Sequence, residues 1–160
     1  MTKTLVAYFS ATGTTARVAS ELAAAMDADL FEIAPERPYT RADLNWNDKG
    51  SRSSLEMGDE ACRPTIADDV TDMAAYDVLF VGFPVWWYVE PRIIDTFLET
   101  YDLTGKTVVV FATSGGSELG RAPHRMQALA PGAKVLAGGT LNGRHSKAQL
   151  AAWAERALRA

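Results

Sequence analysis

The sequence is short of the residues that build metal centres and covalent crosslinks. It has one cysteine, Cys62, and two histidines among 160 residues. A single thiol cannot close a bridge within the chain, and neither histidine lies at a spacing from Cys62 that suits zinc. We therefore expect no disulfide and no metal site.

Long apolar runs and basic clusters are also missing. The most apolar segment, residues 78–89, is too short for the roughly twenty residues of a bilayer-spanning helix, and it contains Pro84. Sixteen basic residues stand against 20 acidic ones, which gives a net charge of −4, and no basic cluster is suited to a phosphate backbone. These absences argue against nucleic-acid binding and membrane insertion. No signal-peptide core follows Lys3, so we expect a cytoplasmic protein.

What is present is the composition of an ordinary globular protein. Hydrophobic residues make up 48% of the chain and charged residues 22%, both of which are typical values. A length of 160 residues is close to the commonest size of one domain. We predict a single domain over residues 1–160, which forms a monomer or a weak homodimer.

Short apolar runs recur along the chain. They are continuous rather than alternating, which is typical of parallel strands covered on both faces. They occupy residues 5–9, 30–33, 78–83, 108–112 and 135–137. Between them lie helical patterns, the last of which begins with a capping box of Ser146 and Gln149. This alternation predicts an α/β fold, a doubly wound three-layer sandwich around a five-stranded parallel sheet.

Residues 35–65 interrupt the alternation. The segment is polar and rich in turn-forming residues, so we interpret it as a long loop with at most one short helix. It contains a group of aromatic, basic and hydroxyl side chains, Tyr39, Trp46, Lys49, Ser51 and Arg52. Two interpretations remain open for it: a lid or partner surface, or a solvated loop with one anchoring tryptophan.

A hydroxyl-rich turn follows the first strand. Directly before a helix, the chain places together Ser10, Thr12, Gly13, Thr14 and Thr15. Ligands of open α/β sheets bind beyond the carboxyl ends of the strands, and a helix N-terminus adds N–H donors and a positive dipole end. The turn is neither a Walker A nor a GxGxxG motif. It therefore predicts a site for the phosphomonoester of a mononucleotide.

Two later strand ends carry further signals. The third strand runs into Pro84, Val85, Trp86 and Trp87. Adjacent large aromatics at this position predict a flat apolar wall for a planar ring, with one tryptophan of the pair filling the core. The fourth strand runs into Thr113, Ser114, Gly115 and Gly116. The glycines allow a ligand to approach the backbone closely, although by itself such a loop indicates only a turn.

Together the motifs YFSATGTT, PVWW and ATSGGS resemble those of the small FMN-binding branch of the flavodoxin-like family, and the resemblance covers nearly the whole chain. It implies strand order 2-1-3-4-5 and non-covalent FMN at the switch point between the first and third strands. It also implies that the FMN phosphate is bound by the loop of residues 10–15. The isoalloxazine ring would then be bordered by residues 84–87 and 113–116.

Two departures from the electron-carrier members of this family bear on function. In the carriers a glycine-containing turn in the second loop often flips its peptide to bond the reduced ring, whereas residues 85–90 contain no glycine. Residues 113–117 also lack an aromatic or charged side chain, which leaves one flavin face open to a second molecule. This favours an NAD(P)H-dependent quinone or flavin reductase.

Two alternatives remain open. The first is a non-enzymatic electron carrier that serves partner redox proteins. The second is a relative of the same fold that binds another phosphorylated aromatic ligand. No side chain is assigned a catalytic role, because the chemistry would belong to the flavin while the protein supplies its position and electrostatic surroundings.

Overall fold

The computed structural model describes residues 3–113 and 118–159. Within these ranges, strands and helices alternate. The strands are β1 Thr4–Tyr8, β2 Asp29–Glu32, β3 Val78–Pro84, β4 Thr107–Thr113 and β5 Lys134–Thr140. The α-helices are α1 Thr14–Met26, α2 Arg52–Met57, α3 Arg92–Thr100, α4 Ala122–Leu129 and α5 Lys147–Leu158, and a 3-10 turn covers Met73–Ala75. No helix in this part of the chain is long and apolar enough to cross a membrane.

The strands form one parallel sheet in the order β2-β1-β3-β4-β5. This confirms the predicted α/β fold and the strand order that the family resemblance implies. β2, the next strand along the chain, pairs with one side of β1, and β3 pairs with the other side. The connection after β1 and the connection after β3 therefore run in opposite directions along the sheet. Tyr8 pairs with Gly82, which brings the loops that follow both strands to nearly the same level. A crevice at this point is the usual ligand site of such sheets.

The two faces of the sheet are covered by different helices. Successive side chains of a strand point to opposite faces, and β3 shows this directly. Leu79 and Val81 pack in the core that contains α3 and α4, whereas Phe80 packs in the core that contains α1 and α5. The capping box of Ser146 and Gln149 at the start of α5 is present as predicted. The central strands are therefore held rigidly, and their loops start from a fixed frame.

The outer strands do not match the prediction of burial on both faces. Leu30 in β2 is 44% exposed, and no residue of β5 is fully buried. The prediction was wrong there because β2 pairs only with β1 and β5 only with β4, so helices cover these edges in part. β5 also continues beyond its apolar run to Thr140. A Cβ on Gly138 within it would lie 2.8 Å from the Trp153 ring, so this position needs glycine.

The two ends of the polar segment that interrupts the alternation of strands and helices lie next to each other. Pro35 and Ile66 form an antiparallel bridge, and the Glu36 N–H donates to the Thr65 carbonyl at 2.8 Å. We call residues 36–65 the strap. It contains α2, which confirms the predicted short helix, and the side chain of its N-cap residue Ser51 accepts a hydrogen bond from a backbone N–H. The strap is thus a structured segment whose two ends are hydrogen-bonded to each other.

Candidate functional site

The hydroxyl-rich loop lies between the end of β1 and the start of α1, as predicted. Gly13 is the N-cap of α1 and has a φ of 97°, a conformation that favours glycine. Because Gly13 has no side chain, the first N–H groups of α1 donate no hydrogen bond to an N-cap side chain. The loop therefore presents backbone donors at the positive end of a 13-residue helix.

The hydroxyl groups of this loop have different surroundings. Ser10 Oγ accepts from the Gly13 N–H at 3.0 Å, which closes the loop on itself. Thr12 and Thr14 are exposed, whereas Thr15 is buried. An anion at the loop would meet the hydroxyls of Thr12 and Thr14 together with the free N–H groups of the helix.

Thr113, at the end of β4, joins the three predicted loops. Its Oγ1 lies 2.8 Å from Thr15 Oγ1 in the first loop, and both side chains are buried. Its carbonyl accepts from the Val85 N–H, the residue after Pro84 in the second loop, at 3.1 Å. The structure thus brings together residues that the sequence analysis assigned to three separate loops. Ser114, Gly115 and Gly116 of the third loop lie outside the described residues.

The second loop forms a tight turn. Trp86 and Val89 exchange backbone hydrogen bonds of 3.0 and 3.1 Å, so Trp87 and Tyr88 are the central pair. Both have positive φ, 49° and 66°, which is the conformation of a type I′ turn, usually filled by Asn-Gly. A bulky residue in this region costs about 1–2 kcal/mol. The turn is therefore strained at both central positions.

Contacts from the start of α4 hold the strained turn. The Tyr88 carbonyl accepts from the Arg121 N–H at 3.1 Å. Gly120, with a φ of 59°, passes so close that a Cβ there would lie 2.2 Å from the same carbonyl oxygen. Strained backbone of this kind persists only where its surroundings over-determine it. The second loop is therefore held in one conformation by its neighbours.

The two adjacent tryptophans face different surroundings. The Trp86 ring centroid lies 5.7 Å from that of Phe9 and 5.5 Å from that of Tyr39. Trp87, by contrast, is 43% exposed. One tryptophan of the pair, Trp86, is thus partly buried and packs against the core, while the other is exposed to solvent. The cause is the turn, which separates the two side chains.

The strap is anchored beside Trp86 by a cluster that sequence reasoning found only in part. The Tyr39 hydroxyl donates to Glu56, and Arg52 Nε donates to Glu56 Oε2 at 2.9 Å. The Arg52 guanidinium also lies 3.8 Å from the centroid of the Tyr39 ring. Burial, and then the hydrogen bond to Glu56, raise the pKa of Tyr39 well above its ordinary value. Glu56 was missed, although its helical spacing from Arg52 was a usable signal.

Arg92, at the start of α3, ties the strap to the rest of the fold and was also missed. Its Nε and Nη2 donate to the carbonyls of Glu56 and Met57 at 3.3 and 2.9 Å. These carbonyls lie in the last turn of α2, where helical N–H partners run out, and the Glu56 carbonyl also accepts from the Asp59 N–H at 3.1 Å. A buried guanidinium at the negative end of the helix therefore satisfies them.

A buried pair of carboxyl groups follows the second loop. Glu90 and Asp95 are 0% exposed, and Arg125 donates to one oxygen of each at 3.3 Å. Their remaining oxygens find no donor among the described side chains. Burial, followed by the hydrogen bond and charge of Asp95, raises the pKa of Glu90 to about 9. Burial and the neighbouring Asp95 thus both favour the protonated form of Glu90.

Comparisons with known proteins relate this arrangement to flavoproteins. A sequence model of the family described as Flavodoxin matches residues 3–157. A protein from Bacteroides eggerthii, described provisionally as a flavoprotein, is 49% identical, with a TM-score of 0.93 over 99% of each chain. A second such protein, from Bacteroides uniformis, is 46% identical, with a TM-score of 0.84 over 96% of this chain and 98% of its own.

A more distant structure contains the cofactor. A flavoprotein from Lactobacillus acidophilus, crystallised in complex with FMN, is 25% identical to this chain. Its TM-score is 0.70 over 86% of this chain and 91% of its own. Among curated proteins, none matches this chain.

Proposed function

Because the chain belongs to the flavodoxin family, we propose that it binds FMN non-covalently beyond the carboxyl ends of β1, β3 and β4 and transfers electrons through it. The FMN complex of the Lactobacillus acidophilus relative supports this choice of cofactor. The observation that carries the proposal is the start of α1. There a glycine N-cap leaves helix donors without a capping side chain, beside exposed hydroxyls.

This loop suits a phosphate without a neighbouring cation. A phosphomonoester is an anion with several acceptor oxygens, and it gains from N–H donors at a helix N-terminus. Thr12 and Thr14 would donate to it from their exposed hydroxyls, while Ser10 keeps the loop closed through its bond to Gly13. Thr15 helps to fix the position of the loop, because its buried hydroxyl forms a hydrogen bond with the hydroxyl of Thr113.

The second loop suits a planar ring. Trp87 is part of a turn held by its neighbours, and its exposed ring is free to contact an aromatic system. Bound FMN would supply the redox chemistry. Pro84, Val85, Trp86 and Trp87 would border the ring and hold it at the sheet edge, as would Thr113 and the segment after it.

Within this function we favour an NAD(P)H-dependent reductase of a quinone or flavin. The support is the second loop, which has no glycine and is fixed by Arg121 and Gly120, so its peptide groups are not free to rotate with the redox state of the ring. An electron carrier is the second candidate. The exposed rings of Trp87 and Tyr88 favour it, because they offer a partner protein an aromatic contact surface.

The first test is whether the purified protein binds flavin. We expect a yellow protein, or a colourless one that binds added FMN in a one-to-one complex. A preparation that takes up no FMN would overturn the proposed function in both forms.

Anaerobic mixing with NADH or NADPH then separates the two candidates. A reductase is bleached directly and turns over a quinone. A carrier is reduced only when a partner flavoprotein reductase is added.

A further inference from the structure

A groove separates the strap from the second loop. Its volume is about 880 Å³, within the range of about 300–1,000 Å³ that is usual for small-molecule sites. Trp46 and Lys49 line it from the strap, and Trp87 lines it from the second loop. Arg121, which holds the strained turn through its backbone, also contributes to the lining. The groove thus adjoins the loop at which we expect the flavin ring.

Two exposed tryptophans line this groove. Large apolar side chains are exposed at five positions in the described ranges, and all but Leu30 belong to the strap or the turn: Trp46, Leu55, Trp87 and Tyr88. Trp46 is 69% exposed and Trp87 is 43% exposed, and both line the groove. Indole rings left in contact with water offer flat apolar faces on which a planar molecule can stack.

The charge of the groove is positive, although the whole chain is acidic. Lys49 and Arg121 are exposed, and neither forms an ion pair with a carboxylate in the described ranges. Glu60, the one carboxylate among the described lining residues, already lies 3.4 Å from Arg125. Two cations with no carboxylate partner among the described residues therefore lie beside two exposed tryptophans. This combination complements a ring that carries negative charge.

We propose that this groove binds a planar redox molecule bearing an anionic group. Its ring would stack on Trp46, and its anionic group would lie near Lys49 and Arg121. The proposal rests on the proposed function, because it gives the molecule a place beside the flavin-binding loop. Two sources share this chemistry: a nicotinamide nucleotide, through its phosphates, and a quinone that carries a carboxylate or sulfonate.

Direct binding measurements test the groove independently of the flavin site. Titration calorimetry on the FMN-loaded protein, and in parallel on the FMN-free protein, would use NADPH, anthraquinone-2-sulfonate and the uncharged 2-methyl-1,4-naphthoquinone. We expect Lys49→Gln combined with Arg121→Gln to weaken an anionic probe by about tenfold, and the uncharged quinone to be unaffected. Lys147→Gln is the matched control, because it removes an exposed lysine on α5 without altering the groove.

Variants of Trp46 test whether a ring stacks on this side chain. Trp46→Ala should weaken charged and uncharged rings alike, and Trp46→Phe should recover part of the affinity. Trp46 is 69% exposed, so its loss removes little buried surface and circular dichroism should show unchanged folding.

The outcomes are distinct. Binding of NADPH that the double variant weakens supports a nucleotide site, and the same result with the sulfonate alone supports a quinone site. Equal affinity of wild type and double variant for every anionic probe overturns the proposal, as does the failure of all probes to bind. The FMN-free protein is titrated in parallel. If it binds these probes but no FMN, the proposed function is contradicted while ligand binding in the groove is supported.

Discussion

Thr15 Oγ1 lies 2.8 Å from Thr113 Oγ1, and this buried contact joins the first turn of α1 to the last residue of β4. Through its carbonyl, Thr113 also holds Val85 at 3.1 Å. One threonine at the end of a central strand therefore sets the relative position of three loops. The candidate phosphate site and the candidate ring site are built on the same support.

The threonine pair is expected to contribute to stability as a unit. Thr15→Val or Thr113→Val leaves the other hydroxyl buried without this partner and should lower the free energy of unfolding by about 1–3 kcal/mol. The double variant should cost less than the sum of the two, because no hydroxyl is then left over. Urea unfolding of the FMN-free proteins measures the cycle. Strictly additive losses would show that the two hydroxyls do not act on each other.

The exposed hydroxyl of Thr12 isolates the phosphate contact. Thr12→Val should weaken FMN by roughly tenfold and leave riboflavin unchanged, because riboflavin has no phosphate for the lost donor to serve. Thr12 is the better choice than Thr15, whose hydroxyl has a structural partner. Thr100→Val, at an exposed position on α3, is the control. An equal loss of affinity for both flavins would mean that the phosphate lies elsewhere.

The buried carboxyl pair predicts how stability depends on pH. The pKa of Glu90 is raised to about 9 in the folded protein, so the folded state holds a proton that the unfolded state releases above its ordinary pKa. The stabilisation is complete at low pH and is lost as the pH rises toward 9, at up to about 1.4 kcal/mol per pH unit.

Glu90→Gln removes this titration while it keeps the size of the side chain and an oxygen that can accept from Arg125. The difference in unfolding free energy between wild type and Glu90→Gln should therefore shift in favour of the variant as the pH rises. Glu99→Gln, at an exposed carboxylate paired with Arg63, should not show this shift. Parallel stability curves for wild type and Glu90→Gln from pH 5 to about 9 would rule out a proton held by Glu90.

The strained turn predicts a stabilising substitution. Tyr88 has a φ of 66° and is 68% exposed, so Tyr88→Gly relieves the backbone at little loss of buried surface. We expect the free energy of unfolding to rise by about 1 kcal/mol. Tyr88→Ala, which removes the same ring but keeps a Cβ, should give no such gain. Equal stabilities of the glycine and alanine variants in urea would show that the conformation carries no strain.

Much of the fold was predictable because its signals are local. Continuous apolar runs, helical stripes and the capping box at Ser146 depend on neighbours within a few residues, and they indicated the strands and helices of an α/β sheet. The hydroxyl-rich loop was predictable for the same reason, since a strand end, Gly13 and a helix start are adjacent in the chain. The burial of the edge strands was not, because an apolar run does not reveal whether a strand has one neighbour or two.

The remaining features depend on which parts of the chain meet. Thr15 and Thr113 are 98 positions apart, and no spacing rule relates them. The positive φ of Tyr88 contradicts its local preference, and contacts from the start of α4 hold this residue in place.

The sequence by itself determined the elements and the chemistry of each loop, because these follow from short-range backbone and side-chain preferences. Only the tertiary structure decided which hydroxyls are exposed, which carboxyl group has a raised pKa and where the groove beside Trp46 lies. Burial and electrostatic surroundings are set by residues distant in the chain, and they exist only once the strap, the turn and α4 are packed together.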